Sequence, residues 1–554
     1  MAAPSEGSLD RRAFLRSSAA VAAVSAATTV GLAGAERARG GTSTTWTRPS
    51  FRWLEATMAE LQAAMASGEL TALELTRCYL ARIEALDWQG PRVNSVIETN
   101  PDAEAIARDL DRERAQGHVR GPLHGIPIVL KDSIATVDRM ETTAGSLALV
   151  GSRFPRDSGV ARTLRDAGAI LLAKTNMSEW NAFRGWPLHG GWCGRAGIGL
   201  NPYALRFSTG DSSSGSAAAV AANFAAGAVG LETYGSIVMP ASLCGIVGLK
   251  PTLGLCSRSG TIPISFTRDT TGPMARTVAD VATLLGGLVG VDPLDDTTAA
   301  SAHHLHRDYR KFLDPDGLRG ARIGVWQRKD LFRDPGAEVI ESVIPVLRDL
   351  GAVVIDSVKL PEWQRATGLH TEVMFREFRH GIRRYLAQLS GTSIRTLSDV
   401  IAFNEQHAAA ELTWHNQGTL EAANEEAPLS DPRYAYLVRR SRKLGRAAFE
   451  VPMREHRLDA IFCPTFFRPW PINLLDGDPT KGNGAAGPAN AAGYPHITVP
   501  AGSLGPLPIG ASFMARAWQE PRLIKYAYAF EQAVGARRPP EFLADYGVAD
   551  FVPR

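Results

Sequence analysis

Between Ser208 and Gly230 the chain is built very largely from Ser, Gly and Ala. Taken alone, such a stretch has the composition of a flexible linker. Residues 217–230, however, continue as an apolar, helix-compatible run. The stretch therefore reads as a tight loop feeding a buried helix that its neighbours can approach closely. Such a helix needs a surrounding core, and the composition can supply one. Of 554 residues 45% are hydrophobic and 21% charged, with Gly (53) and Pro (34) near average usage. Disordered, collagenous and coiled-coil chains are excluded.

The flanking pattern indicates the kind of core. Thr57-x-x-Glu60 and Thr71-x-x-Glu74 are capping boxes, each opening a helix. Residues 93–98, 126–130 and 169–173 read as strands, and 103–113 and 159–167 as helices. Strands alternating with helices predict an α/β fold: a single large domain with a mixed, mostly parallel sheet covered by helices on both faces. From 292 to about 455 charge and helix signals dominate, and strand-like runs return at 458–463 and 497–501. The expected domain spans 52–554, carries a helical insertion around 292–455, and follows a linker at 36–51. No repeat period is evident.

Residues 1–35 follow a separate logic. Asp10-Arg11-Arg12-Ala13-Phe14-Leu15-Arg16 precedes an Ala-rich, weakly apolar run that ends in the small-x-small pattern Ala33-Gly34-Ala35. That order predicts an export signal of the twin-arginine type, and hence a periplasmic or secreted mature protein. No other segment reads as membrane-spanning, because the apolar run 216–231 is short and made of small residues. The formal charge is +3, and no stretch interleaves Lys/Arg with aromatics, which argues against nucleic acid as a partner. The five cysteines (Cys78, Cys193, Cys244, Cys256, Cys463) lack C-x-x-C spacing, so neither a zinc ribbon nor a disulfide-dense scaffold is expected.

Several residues could carry chemistry. Lys131 ends the apolar run Ile126-Pro127-Ile128-Val129-Leu130, at the end of a strand where such sheets place ligand sites. A lone lysine there also fits a solvated strand terminus. The loop Gly210-Asp211-Ser212-Ser213-Ser214-Gly215-Ser216 offers hydroxyls and pliable backbone, but lacks the Lys-Ser/Thr ending of a phosphate loop. Ser236 follows Gly235 at a position where backbone N–H groups could converge. His303, His304, His306, His370 and His380 have no acidic or cysteine ligand spacing beside them and read as surface or satisfied histidines, with no metal site.

The combination is more specific than its parts. Gly125-Ile126-Pro127-(x3)-Lys131-Asp132, the Ser/Gly loop with Ala217-Ala218-Ala219-Val220-Ala221-Ala222, Gly235-Ser236-Ile237, and Cys244-Gly245-Ile246-Val247-Gly248-Leu249-Lys250-Pro251-Thr252 resemble the amidase signature family. The interval 236 − 212 = 24 matches the family's spacing from bridging serine to nucleophile. Lys174-Thr175-Asn176-Met177-Ser178-Glu179-Trp180, Asp269-Thr270-Thr271-Gly272-Pro273-Met274, Ala492-Gly493-Tyr494-Pro495 and Glu520-Pro521-Arg522-Leu523 extend the likeness toward the peptide amidase branch, over nearly all of 52–543.

The resemblance implies a hydrolase of linear carboxamides (peptide, aryl or acyl amides) working through an acyl-serine intermediate, with a small-molecule or peptide amide as partner and no cofactor. By the same likeness Ser236 is the nucleophile, Ser212 the bridge and Lys131 the base. The backbone N–H groups of Thr233, Tyr234, Gly235 and Ser236 form the oxyanion hole, and Met177, Asp211 and Ser213 lie beside the substrate. Such a lysine must be neutral, which costs roughly 4 to 5 kcal/mol for a pKa near 7, available from burial.

Three positions depart from the family pattern: Asp211 stands for a small residue, Leu231 for Thr, and Tyr234 for Asp or Gly. In the family the peptide bond entering the bridging serine is cis, at a cost of about 3 kcal/mol, so Asp211 is expected to add strain or charge. Tyr234 is expected to narrow the pocket. The departures keep two alternatives open, a catalytically silent relative acting as a binding protein and an ammonia-generating amidotransferase subunit. The export signal opposes the second.

Overall fold

Both capping boxes form. The hydroxyls of Thr57 and Thr71 accept the amides of Glu60 and Glu74, while the two carboxylates accept the threonine amides at 2.7 and 2.9 Å. They open the helices Met58–Ser67 and Ala72–Arg82, each cap being worth about 1 kcal/mol. The structure is a computed structural model that describes residues 51–328, 330–479, 484–544 and 546. The export signal expected at 1–35 and nearly all of the linker expected at 36–51 lie outside the described residues.

The strands are, in chain order, β1 (Val96–Thr99), β2 (Pro127–Lys131), β3 (Ile170–Thr175), β4 (Trp192–Cys193), β5 (Gly197–Ile198), β6 (Gly227–Glu232) and β7 (Val247–Lys250). They continue with β8 (Thr270–Ala275), β9 (Arg322–Trp326), β10 (Val353–Val358), β11 (Ala460–Pro464), β12 (His496–Leu504) and β13 (Leu507–Met514). Eleven form one mixed sheet in the order β1-β3-β2-β6-β8-β7-β12-β13-β11-β9-β10, and β4 pairs with β5. The expected α/β domain with a mixed sheet is observed.

Parallel pairing is confined to two triplets, β3-β2-β6 and β11-β9-β10, and the centre and the β1 edge pair antiparallel. The reason is connection length: parallel neighbours need a long crossover, whereas β12 and β13 are joined by Gly505-Pro506 alone and can only run antiparallel. The segment around 292–455 holds the long helices Trp363–Leu386 and Pro432–Glu455. It is not helical throughout, because it also contributes β9 and β10 to the sheet edge.

Every residue of β2, β3, β6, β7, β8, β11 and β13 is buried. Successive side chains of a strand point to opposite faces, so these strands must be covered on both. The edge strand β10 is largely open to solvent. No helix of the described residues is long and apolar enough to cross a membrane.

The small-residue stretch does feed a buried helix, Ser214–Ala221, all eight residues of which are inaccessible. It packs on β2, β3, β6 and β8. At Gly215 a Cβ would stand 2.4 Å from the Asn176 carbonyl oxygen and 2.5 Å from that of Ser95, and the Gly215 amide donates to Asn176 at 3.0 Å. The preceding serine loop is thereby pinned to the end of β3. Gly215→Ala should lower stability by about 1 to 3 kcal/mol or more, measured by denaturant unfolding, and an unchanged midpoint would show that the helix can retreat from β3 freely.

Candidate active site

Lys131 is the last residue of β2 and Leu231 the penultimate residue of its parallel neighbour β6, so the two strands open toward the same end of the sheet. Lys131 is fully buried; its Nζ lies 2.6 Å from Ser212 Oγ and 3.1 Å from the Leu231 carbonyl oxygen. A neutral amine suits this pair of neighbours, giving one N–H to the carbonyl and taking the serine proton on its lone pair. Burial pushes the Lys131 pKa down from 10.5 to about 7, against the opposing pull of Asp211, Asp269 and Glu232.

Burial alone does not single out this lysine. Lys174 and Lys250 are equally buried, and burial lowers each to about 8. Lys174 donates to the Ile134 carbonyl and Thr142 Oγ1, and Lys250 to the Pro251 carbonyl. What distinguishes Lys131 is its contact with a serine loop that leads to a second serine. The Ser213 amide donates to the Ser236 carbonyl at 3.2 Å, and Ser213 Oγ bridges to both the amide and the carbonyl of Leu231. Ser212 and Ser236 are 1% and 4% exposed, and the Ser213–Ser236 backbone bond ties the two serine loops together.

The Ser236 hydroxyl faces Asp211, whose carboxylate also meets the Ser212 amide. Burial raises Asp211 to about 7, opposed first by Lys131. The expected cis bond into Ser212 is not found, since among the described residues the one cis peptide is Trp186-Pro187. The chain turns instead at Gly210, whose φ of 97° only glycine adopts readily. Asp211 is therefore a charged neighbour of both serines, and the reading of it as strain beside a cis bond is corrected.

Thr233, Tyr234, Gly235 and Ser236 lie between β6 and the helix Val238–Leu243. Their four N–H groups have no partner among the described residues. The loop is fixed from behind. Glu232, fully buried, accepts the Ile237 amide at 2.8 Å and the Val238 amide at 3.1 Å on one oxygen, and Asn490 Nδ2 at 2.9 Å on the other. Asp269 accepts Thr233 Oγ1 at 2.6 Å and the amides of Ile264 and Ser265. The sequence reading did not single out Glu232 or Asn490, and quoted Asp269 only within a motif. The signal for Glu232 and Asn490 is one acidic and one amide side chain set among apolar and small residues; Asp269, in the polar run Thr267-Arg268-Asp269-Thr270-Thr271, has none of this kind.

The remaining candidates fall elsewhere. Met177 is fully buried in an apolar cluster with Trp180, Phe183, Ile262 and Ile264. His304 stacks on Trp518, His306 packs edge-on to Tyr309 and Phe312, and His370 meets Ser265 Oγ at 3.1 Å. Among the described residues no cluster of three or more His, Cys, Asp or Glu could hold a metal.

Comparison with known proteins shows what the whole chain is similar to. The amidase family model matches residues 74–524. A probable amidase of Arabidopsis thaliana is 38% identical over 505 residues, covering 89% of this chain and 93% of that one. The structure of native peptide amidase from Stenotrophomonas maltophilia is 46% identical with a TM-score of 0.84, covering 89% of this chain and 100% of that one. A glutamyl-tRNA(Gln) amidotransferase component of Chloroflexus aurantiacus is 35% identical over 507 residues, covering 86% of this chain and 96% of that one.

The buried amine makes a stability prediction. Unfolded, Lys131 titrates near its ordinary 10.5, and folded near 7. Between these values the unfolded chain binds a proton that the folded chain refuses. The burial penalty is thus complete below pH about 7 and fades as pH rises toward about 10.5. Lys131→Met, which keeps the length and removes the amine, should be the more stable protein at pH about 7, with its advantage shrinking toward pH about 10 in paired thermal melts. Parallel curves would mean that the amine is charged in both states.

Proposed function

This chain belongs to the amidase family and is an amide-hydrolysing enzyme, and on that premise we propose that it cleaves linear carboxamides through an acyl intermediate on Ser236. The observation that carries this reading is the 2.6 Å contact of a buried, neutral-leaning Lys131 with Ser212, beside a loop whose N–H groups are free. For this the Ser236 hydroxyl has to leave Asp211 for Ser212. As Oγ attacks the amide carbon, its proton passes to Ser212 and the Ser212 proton passes to Lys131. The N–H groups of the loop 233–236 receive the oxyanion. Lys131 then returns a proton through Ser212 to the departing nitrogen, and water repeats the cycle on the acyl-serine.

The substrate we favour is a peptide amide, in keeping with the Stenotrophomonas maltophilia relative. The twin-arginine pattern at Arg11 and Arg12 supports action outside the cytoplasm. The amidotransferase relatives favour a second reading, generation of ammonia for a partner enzyme. Export speaks against it, because ATP and aminoacyl-tRNA are cytoplasmic.

Wild-type protein should be labelled by a fluorophosphonate on Ser236 and should release ammonia from peptide amides. Ser236→Ala should lose both while keeping its fold. Unlabelled wild type would favour a silent binding protein, and hydrolysis by Ser236→Ala within about tenfold of wild type would overturn the nucleophile assignment.

A pH test follows from the coupling of Lys131 to Asp211. The neutral amine is the working form, so kcat/KM should rise with pH through about 7 and then level. Anionic Asp211 holds the proton on Lys131, so Asp211→Asn should move that rise to lower pH. A rise that stays in place or moves upward would remove Asp211 from the coupling.

A further inference from the structure

Of residues 207–252, which carry both serines, every one is buried but two, Asp211 and Tyr234. Asp211 directly precedes Ser212, and Tyr234 stands two positions before Ser236. Ser236 is itself 4% exposed, so the surface that this part of the chain leaves open beside the nucleophile belongs to those two residues. The Tyr234 hydroxyl is sealed away without a partner. The ionisable group on the open side is therefore the carboxylate of Asp211.

An amide enters such a site with a fixed sense. Its oxygen goes to the N–H groups of 233–236, and its nitrogen goes to Ser212, which hands it the proton for departure. Asp211 belongs to the second end, for it receives the Ser236 hydroxyl and the Ser212 amide. When that hydroxyl leaves for Ser212, the carboxylate becomes an acceptor short of a donor. An amide nitrogen brings N–H groups to fill the place. The leaving oxygen of an ester brings only lone pairs, which a carboxylate repels. The charge also counts later: nitrogen leaves the tetrahedral intermediate only after it is protonated, and an anion beside it stabilises the ammonium-like group that forms.

We propose that Asp211 is a catalytic residue that selects the leaving group: its carboxylate receives an N–H of the scissile amide and stabilises that nitrogen as the proton arrives from Ser212. The C–N bond then breaks with its electron pair on nitrogen, the carbonyl re-forms on Ser236, and the amine departs neutral. The substrates served are amides whose nitrogen bears hydrogen, primary carboxamides best of all because they offer two N–H groups, and esters are served poorly. The small residue of the family pattern at this position has no acceptor to give, so Asp211 adds a contact where the chain departs from that pattern.

The inference rests on the acyl-Ser236 reading, and the experiment separates the two. One acyl peptide is compared as its primary amide and as its methyl ester, by kcat/KM, at pH about 9, where Lys131 and Asp211 have both given up their protons. This constant ends at the acyl-enzyme, which is the same from either substrate, and any effect of Asp211 on Lys131 falls on both alike. In Asp211→Gly the amide-to-ester ratio should drop about tenfold or more, while continued ester hydrolysis reports a folded protein with a working Ser236. Asp211→Asn, which keeps an acceptor oxygen without the charge, should fall between, and it decides alone if Asp211→Gly fails to fold. A ratio unchanged from wild type in the variants overturns the inference. So does a wild type that cleaves the ester and not the amide, which leaves the acyl-serine standing. If wild type cleaves neither, the hydrolytic reading fails and takes the inference with it.

Discussion

The amine of Lys131 is surrounded by protein, and nearly everything else at the site follows from that. An ammonium there would lack the water that normally solvates it, so the fold has to supply neighbours that suit a neutral amine. Ser212 Oγ and the Leu231 carbonyl do so. Their placement depends on β2 and β6 being parallel neighbours and on a serine loop pressed against them by a helix of small residues. A bulkier helix could not come so close to β3, as the space around Gly215 makes plain.

The second requirement is a rigid run of backbone donors. Residues 233–236 are held by side chains behind them, Glu232 on the amides of Ile237 and Val238 and Asp269 on Thr233. Because the donors belong to the backbone, side chains on the open face can vary. Leu231 serves through its carbonyl, which any residue would provide, and Tyr234 carries an arginine on its ring without occupying an amide. The departures at Leu231 and Tyr234 thus leave the proposed chemistry in place and act on what surrounds it.

Two charged residues stand beside the loops that carry the serines. Asp211 sits beside both hydroxyls and couples to Lys131, so its charge bears on the pH at which the site works. Arg268 meets the loop through the ring of Tyr234, 4.6 Å from the guanidinium.

The sequence by itself determined the local structure and the cast of residues. Capping boxes, the alternation of strands and helices, and the 24-residue interval between Ser212 and Ser236 are encoded within short windows, where side-chain chemistry and backbone geometry act directly. Tertiary structure decided the rest. The antiparallel centre of the sheet, the two strands within 292–455, the turn at Gly210 in place of a cis bond, and the pairing of Asp211 with Ser236 depend on segments far apart in the chain. The same holds for Arg268, one charged residue among many along the chain. Its distinction is that the fold buries its outer nitrogens without a hydrogen-bond partner and lays its guanidinium over the Tyr234 ring, which only the meeting of residues 234 and 268 in space brings about.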